Sequence, residues 1–237
     1  MSRKSNRVPF WAVALCSWVL SAAYGIDTPQ PAASPAPSSD VAALVAKGRM
    51  LRNSGDLMGG KAAFEDALAK ARSLKDLSGE AAALNNLASV YRYDAGLDKI
   101  TANQNPPLDL IDKATTHYEQ ALRAAGQAGN KTDEAYATLY LGVLAAGRGS
   151  PDKAFPYYVD ALEKYKKLQD TYYQARTLMF MGATTLYHRH QPEASLKYFE
   201  QALPMFREVS YWHEAQWVIN EMQVAYTQLR AQPKDAR

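Results

Sequence analysis

From Val41 onward, apolar residues recur at helical spacing, and the helices they predict come in pairs. The clearest pair runs from Ala135 to Leu162 and reads A-Y-A-T-L-Y-L-G, then a turn at G-S-P-D, then K-A-F-P-Y-Y-V-D-A-L. The first string returns 40 residues later, where Ala175 opens A-R-T-L-M-F-M-G, and 40 after that Ala215 opens a last half-unit. Val41 and Ala81 open earlier units, again 40 apart, while Ala81 and Ala135 are separated by 54, which leaves 14 extra residues in the second unit. A fixed period with one insertion identifies a repeat array.

Side-chain size carries the physical content of the repeat. The eighth place of each unit is small (Gly48, Ala88, Gly142, Gly182), and so is an early residue of each second helix (Gly60, Ala114, Ala154, Ser195). Small residues at both points let two antiparallel helices approach closely. Four places beyond the second small residue comes a ring (Phe64, Tyr118, Tyr158, Phe199), and three beyond that an Ala-Leu pair, as in Ala161-Leu162. That spacing is the apolar stripe of an amphipathic helix. One hairpin cannot bury such a stripe alone, so neighbouring hairpins must stack. The expected fold is all-α, a helical-hairpin solenoid of about four units plus a C-terminal capping helix over residues 41–232.

Local signals place the boundaries. Ser38, Ser39 or Asp40 can cap the first helix, and Ser150 is expected to cap another whose first turn holds Pro151. The extra residues fall at about 94–107, where Pro106 and Pro107 forbid continued helix. An insertion at this turn lies on one edge of the stack and disturbs no packing. Pro156 and Pro204 fall inside second helices and should kink them. In the final half-unit, Glu221 stands where earlier units place Lys47, Leu87, Leu141 and Met181, the polar face a capping helix needs. Pro233 ends that helix, leaving a tail at 233–237.

The repeat resembles the tetratricopeptide repeat, in the 40-residue long-helix variety of kinesin light chains and of bacterial arrays. Leu84, Asn85, Asn86, Leu87, Ala88 and Tyr91 match that variety's first-helix pattern. The resemblance implies a right-handed solenoid whose first helices line a concave groove for another protein or peptide. Carried over place by place, it assigns to the groove Arg49, Arg52, Asn53, Asn85, Asn86, Arg92, Tyr93, Tyr136, Leu139, Tyr140, Val143, Arg176, Met179, Phe180 and Tyr187. The last helix adds Gln216, Asn220 and Gln223. Such a groove is apolar and aromatic toward its C-terminal half, with arginines and amides toward the other end. It suits an extended peptide or an amphipathic helix bearing some acidic residues. Leu139, Met179 and Phe180 fit packing between helices equally well. The lysine of the family's carboxylate clamp is replaced by Val45, Asn85, Leu139 and Met179, which disfavours a chaperone-tail adaptor.

Composition changes this picture at the N-terminus. The formal charge is +3, but Arg3, Lys4 and Arg7 precede the first apolar run, and the remainder is balanced between acid and base. The basic balance is therefore no sign of nucleic acid. Residues 1–23 combine a basic start, an apolar stretch from Val8 to Leu20 and small residues Ser21 and Ala23 ahead of Tyr24, the pattern of a secretory signal peptide. The expected destination is the periplasm; an uncleaved anchor facing the periplasm is the rival. Residues 24–40, rich in proline, alanine and serine, form a linker. Cys16, the single cysteine, leaves with the leader.

The sequence shows no nucleophile motif, glycine-rich phosphate loop or metalloprotease helix. The chain is therefore expected to be no enzyme and to need no cofactor or metal. His188 and His190 offer two potential metal ligands in a turn, without a third at a recognisable spacing. The leading expectation is an exported interaction scaffold or assembly factor. Behind it stand a structural subunit joining an envelope complex through the solenoid edges and, further back, a metal protein or enzyme using the two histidines.

Overall fold

The computed structural model describes residues 35–97 and 105–231. The expected leader, linker residues 24–34, the middle of the insertion and the tail at 233–237 lie outside the described residues. Within them run nine helices: α1 Ser39–Asn53, α2 Leu57–Leu74, α3 Leu77–Asp94, α4 Leu108–Ala128, α5 Lys131–Gly147, α6 Pro151–Lys167, α7 Thr171–Tyr187, α8 Pro192–Glu208 and α9 Trp212–Ala231. No helix among the described residues is long and apolar enough to cross a membrane.

The turns between hairpins are built alike. Asp76, Asn130 and Asp170 precede α3, α5 and α7, and each side chain accepts the N–H three residues on, at 2.8, 3.1 and 2.9 Å. Such a cap stabilises its helix by about 1 kcal/mol. The residue just before each cap is left-handed: Lys75 (φ 54°), Gly129 (φ 72°) and Gln169 (φ 55°). Helix α1 differs, because Ser38 makes no side-chain cap and instead donates its N–H to Asp76 Oδ2 at 2.7 Å. Burial alone would raise the Asp76 pKa, but the N–H groups of Ser38 and Gly79 outweigh it and hold the carboxyl below its ordinary value.

In the first, third and fourth hairpins the small residue and the ring meet as the repeat demands. A Cβ added at Gly48, Gly142 or Gly182 would lie 2.5, 2.7 or 2.5 Å from Phe64, Tyr158 or Phe199, all fully buried. Each helix packs on the next along the chain, and α1, α3, α5, α7 and α9 also approach one another in succession. The second helices α2, α4, α6 and α8 do not approach each other. A stack whose odd helices touch while its even helices splay is concave on the odd side. The fold is thus an all-α helical-hairpin solenoid with the first helices as its inner layer.

Three details depart from the sequence picture. The insertion does not lie wholly outside the packing: Leu97 is fully buried, accepts Arg92 Nη1 on its carbonyl at 2.8 Å, and fills the space left by Gly147 of α5. Ser150 makes no side-chain hydrogen bond to cap α6, whose first turn is set by Pro151 instead. Glu221 is not a solvent-facing cap residue. It is only 7% exposed and accepts a hydrogen bond from Tyr187 Oη, because α9 turns that side toward α7. Burial raises the Glu221 pKa, and the Tyr187 hydrogen bond only partly counters it.

Candidate functional site

The inner layer holds a cleft of about 230 Å³ that spans four successive first helices. Arg49 and Arg52 come from α1, Asn85 and Asn86 from α3, Asp133 and Tyr136 from α5, and Tyr173 from α7, with Tyr165 reaching in from the end of α6. They converge because helical spacing puts residues three, four or seven apart on one stripe. A larger cavity adjoins it, where Pro35, Ala36 and Pro37 run beside Arg49 and Asn130. Asn130 Nδ2 donates to the Pro35 carbonyl at 3.4 Å, so the end of the linker lies at the mouth of the groove.

Asp133 is the cleft's own carboxylate, and it is already engaged. Asn85 Nδ2 donates to Oδ1 at 2.9 Å and Asn130 Nδ2 to Oδ2 at 2.8 Å. Burial nonetheless raises its pKa, against the pull of those amides and of Arg49. Arg49 Nε donates to Asn86 Oδ1 at 3.2 Å, while Arg52 reaches only Asn53.

Beside the cleft lies a cluster of tyrosines. Tyr165 and Tyr173 stack with ring centroids 4.9 Å apart, Tyr118 and Tyr140 stack at 5.7 Å, and Tyr136 touches both Tyr140 and Tyr173. Pairs of this kind are each worth about 1 kcal/mol beyond their buried area. Ser89 Oγ ties the cluster to α3. Its single proton goes to the Asn85 carbonyl at 2.9 Å, so the hydroxyls of Tyr118 (3.0 Å) and Tyr136 (2.9 Å) must be donors to it. Burial pushes Tyr118, Tyr165 and Tyr173 well above the ordinary tyrosine range, raises Tyr136 as well, and lifts Tyr172 up to about 12. All five are neutral hydroxyls at physiological pH.

Two arginines sit among these rings. The Arg92 guanidinium lies 4.4 Å from the Tyr140 ring centre, and that of Arg176 lies 6.0 Å from the same ring and 5.7 Å from Phe180. Their charged carbons are therefore within roughly 10 Å of each other, where two unit charges repel by ~1.7 kcal/mol at an effective dielectric constant of 20. Among the described residues neither forms an ion pair, whereas Arg72, Arg148 and Arg189 each meet a carboxylate. Among the described residues Arg92 bonds only the Leu97 carbonyl. Arg176 bonds Tyr172 Oη at 2.6 Å, and that hydroxyl in turn reaches Glu214 at 3.4 Å.

The expected groove residues thus fall into four sets. Arg49, Arg52, Asn85, Asn86 and Tyr136 meet in the cleft. Arg92, Tyr140, Arg176 and Phe180 form the cluster beside it, and of these only Arg176 is half-buried while the others are buried. Met179, Leu139 and Val143 are buried between helices. Tyr187 and Asn220 stand apart toward the C-terminal end, occupied by Glu221 and by Gln216 Nε2 at 3.1 Å. The carry-over omitted Tyr118, Tyr165, Tyr172, Tyr173, Ser89 and Asp133. Tyr118 and Tyr165 belong to second helices, and Asp133, Tyr172 and Tyr173 precede the first place of their units, so only packing brings them to the inner face. His188 and His190 join no group of three or more potential metal ligands among the described residues.

The family model for the tetratricopeptide repeat matches residues 133–208, which span α5 to α8. Among solved structures, BtubC (BKLC) from P. vanneervenii is similar at 14% identity, over 81% of this chain and 82% of that one, with a TM-score of 0.47. No curated protein matches the chain in sequence.

Proposed function

From the premise that this chain is a repeat protein of tetratricopeptide type, a class whose arrays bind other proteins and peptides, we propose that it is a non-catalytic scaffold gripping a partner's extended peptide or amphipathic helix. The contact surface is the inner face of α1, α3, α5 and α7. One observation carries this reading: Arg49, Arg52, Asn85, Tyr136 and Tyr173, drawn from four consecutive first helices, open onto a single continuous cleft. A trough with arginines, amides and ring edges offers hydrogen bonds to a peptide backbone and slots for side chains. The reading includes export to the periplasm, supported by the leader-like sequence of residues 1–23.

The test is recovery of partners from envelope extract with wild type and with the double variant Arg49→Glu/Arg52→Glu. Neither residue is deeply buried or ion-paired, so the fold should stand, and recovery of the principal partner should fall by about tenfold, the scale of losing charged hydrogen bonds. Equal recovery by both proteins would remove the inner face from consideration. A structural subunit assembling through its edges is the second reading, favoured by exposed Tyr211 and Trp212 (44% and 64%) ahead of and at the start of α9. It requires an oligomer in light scattering that Trp212→Ser dissolves.

A further inference from the structure

The residues just ahead of α1 lie on the inner layer as an extended segment. Ser38 has φ −56° and ψ 152°, close to polyproline II. Pro35 and Pro37 hold φ at about −65° through their rings. The Ser38 N–H donates to Asp76, the cap of α3, at 2.7 Å, and three residues earlier the Pro35 carbonyl accepts from Asn130, the cap of α5, at 3.4 Å. Three residues of polyproline II advance about 9 Å, the usual distance between packed helices. One turn of the segment therefore matches one step along the row of first helices. Pro35, Ala36 and Pro37 line a cavity of about 560 Å³ together with Arg49 and Asp133. Those two residues also line the cleft that continues to Tyr136 and Tyr173, so the seated segment and the cleft form one track. The chemistry of that track is one-sided. Arg49 and Arg52 bring guanidinium groups, which only donate, whereas Asp133, the one carboxylate lining the cleft, is engaged by Asn85 and Asn130. Tyr136 and Tyr173, both half-buried and edge to face at 5.8 Å, add ring surface.

We propose that the inner face binds a proline-rich segment of a partner protein in the polyproline-II conformation, laid along the cleft on the line that Pro35–Ser38 begins. A proline-rich backbone offers carbonyl acceptors and few N–H donors, the complement of a wall whose arginines donate and whose carboxylate is occupied. Its rings pack on tyrosines, and its conformation is set before binding, so little ordering entropy is lost. An amphipathic helix spends its carbonyls on its own backbone and has few to offer Arg49 and Arg52. This ligand class rests on the groove reading above and names the chemistry of what the groove takes.

The experiment is selection of randomised twelve-residue peptides on the immobilised full chain, followed by sequencing and binding titration of the enriched peptides. Proline should be enriched at least threefold over the starting library. Changing the prolines of an enriched peptide to glycine keeps every backbone carbonyl but removes the rings and the stiffness, and should weaken binding about tenfold. On Arg49→Gln/Arg52→Gln the same peptides should bind about tenfold more weakly, as the loss of hydrogen bonds from charged donors does. Should that double variant lose its helical circular dichroism, Arg49→Gln alone replaces it, with an expected loss of at least threefold. Enriched peptides without a proline excess, or peptides that are helical when bound by NMR of the labelled peptide, would overturn the ligand class and leave the groove standing. Proline-rich peptides held equally well by the arginine variant would overturn their place in the cleft. Failure to enrich any peptide would overturn the groove reading and the ligand class with it.

Discussion

Single residues of this protein are read correctly only when their neighbours are known, and Glu221 shows why. By register it belongs to a polar end-cap, yet α9 turns it inward to accept the Tyr187 hydroxyl. Burial is the larger influence on its pKa and raises it above the ordinary 4.5. A carboxyl whose folded pKa exceeds its unfolded one binds its proton more tightly when folded. Its contribution is therefore fully present below pH 4.5 and lost as pH rises through the folded value. Glu221→Gln keeps the shape and can still accept the Tyr187 proton, so it should raise the melting temperature at neutral pH and leave it unchanged near pH 4. Thermal scans of both proteins from pH 4 to 8 would show the curves meeting at the acid end; parallel curves would mean that Glu221 is solvated. The rule of small residue against large ring, by contrast, is legible residue by residue: Gly142 and Gly182 face Tyr158 and Phe199 as their spacing requires.

At the level of elements, helix number, order and approximate length follow from the period, because a 3.6-residue stripe is a local fact, whereas the caps at Asp76, Asn130 and Asp170 emerge only with the folded turns. The insertion is where local reasoning stops. Its proline pair marks the end of a loop, but nothing in A-G-L-D announces that Leu97 turns back into the core against Gly147 and receives Arg92 on its carbonyl. Leu97→Ala should destabilise the chain by about 2–5 kcal/mol, the range for emptying a buried leucine site, and should free Arg92 to move. Urea titration would measure the first effect. A cost under half a kilocalorie per mole would show the loop to be peripheral.

For the molecule as a whole, stability is distributed along a line, since each hairpin packs only on its neighbours. The apolar interior is continuous from Leu84 to Ala225, whereas α1 and α2 meet α3 through a separate, smaller cluster of Val41, Val45, Phe64 and alanines. The first hairpin should open by itself. Native-state hydrogen exchange should find amides of α1 and α2 protected at least tenfold less than those of α5 and α7, with the gap closing only under denaturant. Uniform protection across the chain would contradict a nearest-neighbour solenoid. The same linear order makes the groove: four separate helices contribute to one cleft only because successive units keep phase.

What the sequence determined by itself was the repeat, the hairpin and the expectation that first helices face inward, since these depend on spacing and side-chain size within one unit. The tertiary structure alone decided which polar groups are left wanting. Whether Arg92 and Arg176 find carboxylates, whether Tyr165 and Tyr173 reach the inner face, and whether Glu221 meets water all depend on distances between residues far apart in the chain. Those distances are fixed by the stagger of one hairpin upon the next, a quantity no single unit encodes.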